Sequence, residues 1–179
     1  MKKWATKSNL LTLLLLALVV YLQGPIFLKN LGLEGTTLPF KQYKLLSYPE
    51  TLFTVEFPPK HSRAITIFWA SWCGPCKIEM QRLKSSVENK KISPDLIFAI
   101  NPFESHSEVM TFLKQNKFPF QFIEAPDITE KLNITSTPTT MFLNQGEITS
   151  LSSGLSFIGI WKAEYFLKGQ SLISRSYAA

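Results

Sequence analysis

The amino-acid sequence predicts an α/β fold, because strand-like and helix-like stretches alternate along most of the chain. Two short runs, residues 64–70 (AITIFWA) and 95–101 (DLIFAIN), are rich in β-branched and aromatic residues, as are strands buried on both faces of a sheet. Between them, apolar residues recur at spacings of four, three and four from Cys76 to Val87, which predicts a helix with one apolar face. This strand–helix–strand order indicates helices layered against a sheet.

Composition and charge limit the possible classes of function. Hydrophobic residues make up 45% of the chain and charged residues 18%, which excludes both a disordered chain and one buried throughout in a membrane. Half of the net charge of +6 comes from Lys2, Lys3 and Lys7. Because the sequence has no basic cluster interleaved with aromatic residues, it indicates no nucleic-acid partner.

The N-terminal part divides into a basic tail, residues 1–9, and an apolar stretch, residues 10–28. About 20 apolar residues, at about 1.5 Å each, cross a bilayer, so this stretch is expected to form a transmembrane signal anchor. The alternative is a cleaved signal peptide, although no Ala-x-Ala pattern follows the apolar run. Lysines before the anchor predict a cytoplasmic N-terminus and a single pass through the inner (cytoplasmic) membrane. The rest of the chain is then expected in the periplasm or extracytoplasmic space, where disulfides persist.

Residues 29–39, interrupted by glycines and a proline, are predicted to be a tether, and residues 40–179 one domain. The elements expected in this domain are, in order, an edge strand within 52–57, the strand 64–70, the helix after Cys73, the strand 95–101, a helix over 107–116 that begins near Ser105 or Ser107, strands at 120–125 and 139–144, a hairpin turn at 144–147, the strand 147–153, and an amphipathic helix over 157–169 that stops at Gly169.

The two cysteines of the chain stand together in the segment FWASWCGPCK, residues 68–77, at the predicted junction of a strand and a helix. Pro75 is tolerated in the first turn of a helix, because the backbone donor that it lacks is spare there. Cys73 is then expected at the helix N-terminus, where the helix dipole stabilises a thiolate and can lower the thiol pKa from about 8.5 to about 7 or below. This geometry predicts Cys73 as a nucleophile and Cys76, one turn further on, as the resolving thiol.

Two other roles for the cysteine pair are weaker. A static staple across two residues removes little entropy from the unfolded chain. A metal site needs three or four ligands, and only His61 and His106 could add imidazole ligands, neither at a suitable spacing. No protein metal site and no organic cofactor are therefore predicted. A thiol pair that binds Cu(I), which favours thiolate ligands, remains as an alternative function.

The sequence resembles the thioredoxin superfamily in two segments. The segment FWASWCGPCKIE is similar to the active-site segment of that superfamily, and residues 136–139 (STPT) are similar to its second signature. The resemblance implies a mixed central sheet flanked by helices and a cis proline, Pro138, that faces the cysteines. It also implies that the backbone at Thr137 pairs with an extended substrate, beside Gly74 and Pro75.

Within the superfamily, the predicted anchor and the pattern from Trp72 to Glu79 are most similar to the membrane-tethered TlpA/ResA/DsbE branch. The chain length, the Thr-Pro-Thr signature and residues 153–167 (SGLSFIGIWKAEYFL) further resemble the copper-sensitivity suppressor D (ScsD) type. These resemblances imply exchange with protein disulfide or dithiol clients, a membrane protein as electron donor or acceptor, and a role in cytochrome c maturation or copper tolerance. The Gly-Pro dipeptide between the cysteines resembles the reducing end of the superfamily, whereas Ile67 in place of a buried acid and an oxidising compartment favour the alternative, oxidation of the client.

One departure from the superfamily pattern bears on proton transfer. Cytoplasmic thioredoxins have a buried acid where this chain has Ile67. Glu79, three residues after Cys76 and on the same helical face, is a candidate to exchange protons with Cys76 in its place. The alternative is a solvated glutamate on the helix surface. Of the neighbouring tryptophans, Trp69 is expected in the core and Trp72 on an exposed surface that contacts partners.

Overall fold

The computed structural model describes residues 7–47, 49–50, 53–156 and 158–168. Residues 1–6 of the predicted basic tail and the predicted helix stop at Gly169 lie outside this set, as do the side chains at positions 7–9, 23, 26, 27 and 29. The elements are α1 (Lys7–Leu33), β1 (Lys41–Leu46), β2 (Thr54–Phe57), β3 (Arg63–Phe68), α2 (Gly74–Glu88), a short 3₁₀ turn (Pro94–Leu96), β4 (Ile97–Ile100), α3 (His106–Gln115), β5 (Gln121–Glu124), α4 (Pro126–Leu132), β6 (Thr139–Asn144), β7 (Glu147–Ser153) and α5 (Gly159–Leu167).

The described strands form one mixed sheet in the order β2-β1-β5-β4-β3-β6-β7. β3, β4 and β5 run parallel to one another, and the other pairs are antiparallel. β3 lies between β4 and β6, and five of its six residues are buried. The α/β class, the mixed sheet and the buried character of the strand before the cysteines are confirmed.

Side chains that alternate along β3 supply two apolar clusters, one on each face of the sheet. Ile65 and Ile67 belong to the cluster that contains the cysteines, together with residues of α2, α3 and α5. Ala64 and Phe68 belong to the other cluster, together with residues of α4. Full burial of a large apolar side chain stabilises the fold by about 1.5–3 kcal/mol, so the helices that carry the site are held firmly on the sheet.

Most elements after residue 60 agree with the expectations. β6 and β7 have the predicted bounds, and Gln145 and Gly146 at the turn between them both have positive φ, 51° and 86°. The capping box of Ser105 and Glu108 explains why α3 begins at His106. The helix α4 was not predicted, because its seven residues are too few to show a helical period.

The N-terminal region is helical over a longer range than expected. α1 passes through Pro25 and continues to Leu33, into the stretch predicted as a tether. The chain then pairs with β7, through hydrogen bonds from Gly35 N–H to the Ile148 carbonyl (2.8 Å) and from Ile148 N–H to the Thr36 carbonyl (2.9 Å), and Leu38 N–H donates to the carbonyl of Gly146 in the turn before β7 (2.9 Å). Within the part of the chain that the structure describes, no helix combines the length and the apolarity that a membrane crossing requires.

Candidate active site

The two cysteines lie where β3 gives way to α2. Cys73 is the N-cap residue of α2, and its Sγ accepts a hydrogen bond from the Cys76 N–H at 3.1 Å. The pair is joined as a disulfide. Cys73 retains 5% exposure, whereas Cys76 has none. On reduction, Cys73 is therefore the sulfur that a partner reaches first, and the N-terminus of α2 favours its thiolate.

The turn before Cys73 places one tryptophan in the core and the next in solvent. Trp69 is 1% exposed and packs against Phe112 at 4.6 Å between ring centroids. Trp72 is 68% exposed and lies 6.1 Å from the ring of Phe103, which is itself 43% exposed. Both positions agree with the expectations for the tryptophans. Phe103, in contrast, was not identified from the sequence, because a lone phenylalanine in a loop gives no signal of its own.

The loop before β6 lies at the same edge of the sheet as the cysteines. Thr139 pairs with Phe68 across the β3–β6 ladder, so Pro138 and the turn that follows β3 leave the sheet side by side. The Thr137–Pro138 peptide bond is cis, as predicted. The Pro138 carbonyl accepts a hydrogen bond from Gly154 N–H at 2.7 Å, and the Thr139 hydroxyl donates to the Ser136 carbonyl at 2.9 Å.

Glu79 is buried beneath the site, with 4% exposure, so the alternative of a solvated surface glutamate is wrong. Burial raises the pKa of the Glu79 carboxyl, and the Arg82 guanidinium, 3.3 Å from Glu79 Oε2, opposes that rise. Arg82 also donates to the Ser156 carbonyl at 2.7 Å, which ties this pair to the segment before α5.

Ile67, at the position where cytoplasmic thioredoxins have a buried acid, is 1% exposed and lies in the same apolar cluster as Cys76. Within the described residues, no contact joins either cysteine to His61 or His106, the two histidines that could have served as metal ligands. His106 lies between Glu50 (3.3 Å) and Glu124 (3.5 Å), and His61 is exposed.

A second acidic residue, which the sequence reasoning missed, holds the turn before Cys73. Glu104 Oε2 accepts hydrogen bonds from Ser71 N–H at 2.5 Å and from Asn101 Nδ2 at 2.6 Å, and Glu104 Oε1 accepts one from the Ser71 hydroxyl. The loop between β4 and α3 is thus joined to the active-site turn. The sequence separation of 33 residues between Ser71 and Glu104 explains why no local pattern indicated the contact.

The fold and this site together define a class of protein. A family model described as a thioredoxin-like domain matches residues 54–158, more than half of the chain, and the chain therefore belongs to the thioredoxin-like domain family. Several curated relatives are named thiol-disulfide oxidoreductases or interchange proteins, of which three are described. Sporulation thiol-disulfide oxidoreductase A of Bacillus subtilis is 28% identical over 56% of this chain and 64% of its own length. Thiol-disulfide oxidoreductase ResA of the same organism is 28% identical over 49% of this chain and 50% of its own length.

The thiol:disulfide interchange protein DsbE of Pseudomonas fluorescens biotype C is 23% identical over 98% of this chain and 99% of its own length. The chain thus spans less than two thirds of the B. subtilis relatives and almost all of DsbE. Among solved structures, StoA of B. subtilis gives a TM-score of 0.58 at 22% identity, covering 73% of this chain and 98% of that one. A protein disulfide isomerase-like structure from Bacteroides thetaiotaomicron gives a TM-score of 0.60 at 20% identity. The match covers 79% of this chain and 94% of that one. These likenesses support the fold, and the named relatives support the ResA/StoA/DsbE branch of the family.

Proposed function

We propose that the protein is an extracytoplasmic thiol-disulfide oxidoreductase whose redox centre is the Cys73–Cys76 pair. The observation that carries the proposal is the arrangement of the disulfide at the start of α2. Cys73 caps the helix and retains some exposure, while Cys76 is fully buried one turn further on. An attacking thiol and a protected resolving thiol need these unequal environments.

The exchange proceeds in two steps. In the reduced protein, the Cys73 thiolate attacks one sulfur of a client disulfide, forms a mixed disulfide and displaces the other client sulfur as a thiolate. Cys76 then loses its proton and attacks Cys73 Sγ, which releases the second client thiolate and forms the disulfide seen in the structure. Two electrons pass to the client, and its two sulfurs take up protons. No organic cofactor takes part in either step.

The surface around Cys73 is suited to a client segment in extended conformation. Trp72 supplies exposed apolar area beside the cysteine. We assign Thr137 and Pro138 to backbone pairing with the client, with Gly74 and Pro75 as exposed neighbours on the helix side. Glu79 is the proposed proton carrier for Cys76, because it is the buried carboxyl one helical turn away.

The proposed direction is reduction of the client. The Gly74-Pro75 dipeptide is shared with thioredoxin, whose potential is about −270 mV, and no histidine stands between the cysteines to favour an oxidant. An extracytoplasmic reductant needs electrons from a membrane protein, which we propose as the partner. Resemblance to the ScsD type and similarity to DsbE and ResA support a role in copper tolerance or cytochrome c maturation.

Insulin reduction in the presence of dithiothreitol tests the proposed function. We expect the soluble domain, residues 34–179, which begin directly after α1, to accelerate the precipitation of the insulin B chain well above the rate with dithiothreitol alone. A domain that binds Cu(I) through the reduced pair but leaves the insulin rate unchanged would contradict the proposal and favour the copper-binding alternative.

We further propose that residues 10–28 anchor the domain in the inner membrane, with residues 1–9 in the cytoplasm. The support is the sequence, in which an apolar stretch of nearly bilayer length follows a basic tail. The exposed leucines along the described part of α1 agree with an apolar surrounding.

Alkaline extraction tests the anchor. The full chain with a reporter fused after Ala179 should stay in the membrane fraction, and its reporter should be active only outside the cytoplasm. A matched chain in which Leu14, Leu15 and Leu16 are replaced by arginine should lose membrane retention, because arginine at the bilayer centre is costly. Release of the unmodified chain into the soluble fraction would show that residues 10–28 do not anchor it.

A further inference from the structure

The loop between β4 and α3 has polar contacts that the exchange mechanism does not use. Asn101 Oδ1 accepts hydrogen bonds from Phe103 N–H (3.0 Å) and Glu104 N–H (3.1 Å), which fixes the start of the loop. Asn101 Nδ2 then donates to Glu104 Oε2. Asn101 therefore holds the Glu104 carboxylate within its own loop. The same carboxylate also accepts the two hydrogen bonds from Ser71.

Three of the four acceptor positions of this carboxylate are occupied by described donors, and two of these donors belong to one residue of the active-site turn. Hydrogen bonds to a charged acceptor are about twice as strong as those between neutral groups. The Ser71 N–H and hydroxyl are thus bound together by one rigid group. Because Trp72 and Cys73 follow Ser71 directly, their backbone is fixed relative to the loop 101–105.

The same contact brings two exposed aromatic rings together. Trp72 belongs to the turn that begins at Ser71. Phe103 belongs to the loop whose start is fixed by the hydrogen bonds of Asn101. Their ring centroids lie 6.1 Å apart, and both side chains are exposed, Trp72 more than Phe103. An exposed aromatic pair next to a reactive sulfur is an apolar surface of the kind that anchors protein partners.

We propose that Glu104 is a positioning residue that joins Trp72 and Phe103 into one apolar surface for client proteins with an apolar side chain next to the disulfide. Its role is specificity for protein clients, since the carboxylate contacts Ser71 and not the sulfurs. The inference rests on the proposed function. A small disulfide needs only Cys73 and its helix N-terminus, whereas a protein client also uses the aromatic surface.

Glu104→Gln tests the proposal with two substrates. Glutamine has one oxygen in place of two and adds a donor, so it cannot accept from Ser71 N–H, the Ser71 hydroxyl and Asn101 Nδ2 together. We expect KM for insulin to rise about fivefold with kcat nearly unchanged, which is less than the loss of an interface anchor costs, because both rings remain and only their position changes. The rate constant for reduction of the small disulfide 5,5′-dithiobis(2-nitrobenzoate) should change less than twofold. Glu130→Gln, on the exposed surface of α4, is the matched control and should leave both values at the wild-type level.

Two further measurements separate positioning from a general loss of structure. Hydrogen exchange at the Ser71 amide should become at least tenfold faster in Glu104→Gln, while exchange in β3 stays at the wild-type rate. Phe103→Ala should raise KM for insulin by a similar factor, and Glu104→Gln should add little in that background, because both changes act on one surface. Ser71→Ala, which removes only the hydroxyl donor, should show a smaller rise and replaces Glu104→Gln if that variant fails to fold.

An unchanged KM for insulin in Glu104→Gln with a deprotected Ser71 amide would overturn the proposal, as would independent, multiplicative effects of Glu104→Gln and Phe103→Ala. Failure of the proposed function looks different. In that case the wild-type domain itself does not accelerate insulin reduction, and the amide exchange at Ser71 still decides whether Glu104 holds the turn.

Discussion

Replacing Cys73 with alanine is expected to abolish exchange with both protein and small disulfides. The reason is that Cys73 alone combines the N-cap position of α2 with exposure to a partner, whereas Cys76 is fully buried. The loss should exceed a thousandfold in the rate of insulin reduction, since general acid–base groups contribute only about 10²–10⁴ and the nucleophile itself is removed here.

Cys76→Ala should behave differently from Cys73→Ala. It leaves the attacking thiol in place but removes the thiol that releases the client, so mixed disulfides on Cys73 should accumulate and be visible on non-reducing gels. The pair of variants is its own control, because they differ only in which sulfur remains. If Cys76 of the reduced wild type is alkylated faster than Cys73 at neutral pH, the assigned roles are reversed.

Glu79→Gln is expected to slow the second step of the exchange and not the first. The substitution keeps the shape of the buried side chain and removes its titrating group. Attack by Cys73 should be nearly unchanged, because the N-terminus of α2 stabilises that thiolate without Glu79. Resolution by Cys76 should slow about 10- to 100-fold, at the lower end of general acid–base contributions, and its pH profile should lose one ionisation.

Rapid mixing of reduced protein with a disulfide peptide measures the two steps separately. Glu88→Gln is a suitable control, because Glu88 belongs to the same helix and its side chain is 63% exposed. Equal resolution rates for wild type and Glu79→Gln from pH 5 to 8 would exclude the proton-transfer role.

The same substitution also has a predictable effect on stability. Because burial raises the pKa of Glu79 above its ordinary value of 4.5, the folded state favours the protonated carboxyl. The corresponding stabilisation is fully present below about pH 4.5 and is lost as the pH rises through the raised pKa. The free energy of unfolding of Glu79→Gln relative to wild type should therefore increase with pH over this window. A difference that stays constant with pH in urea titrations would show that Glu79 has an ordinary pKa in the folded protein.

The parts of the site that are local in sequence could be predicted from the sequence. Cys73 was predicted at a helix N-terminus from a buried strand before it, Pro75 in the first helical turn and Cys76 one turn further on. The structure confirms this position. The strand β6 directly after Pro138 was likewise indicated by its apolar residues. In each case the physical cause, a helix terminus or a strand period, acts within a few residues.

The parts that depend on tertiary contacts could not be predicted. Glu104 reaches Ser71 across 33 residues, and only the pairing of β3 with β4 brings their loops together. The burial of Glu79 depends on α5 and the segment before it, to which Arg82 is bound. The extension of α1 into the expected tether reflects a similar limit. The glycines there suggested an interruption, but the chain remains helical until Leu33 and then pairs with β7.

The redox equilibrium of the Cys73–Cys76 pair tests the central claim most directly. The soluble domain is equilibrated in buffers of stepped reduced-to-oxidised dithiothreitol ratio, and the two states are separated by thiol alkylation and mass. We expect one reversible transition in which both thiols appear together as a two-electron couple, with the domain folded on both sides of it. A pair that stays oxidised at every ratio, or a domain that unfolds when the pair is reduced, would show that the disulfide is a structural staple and would contradict the proposed exchange.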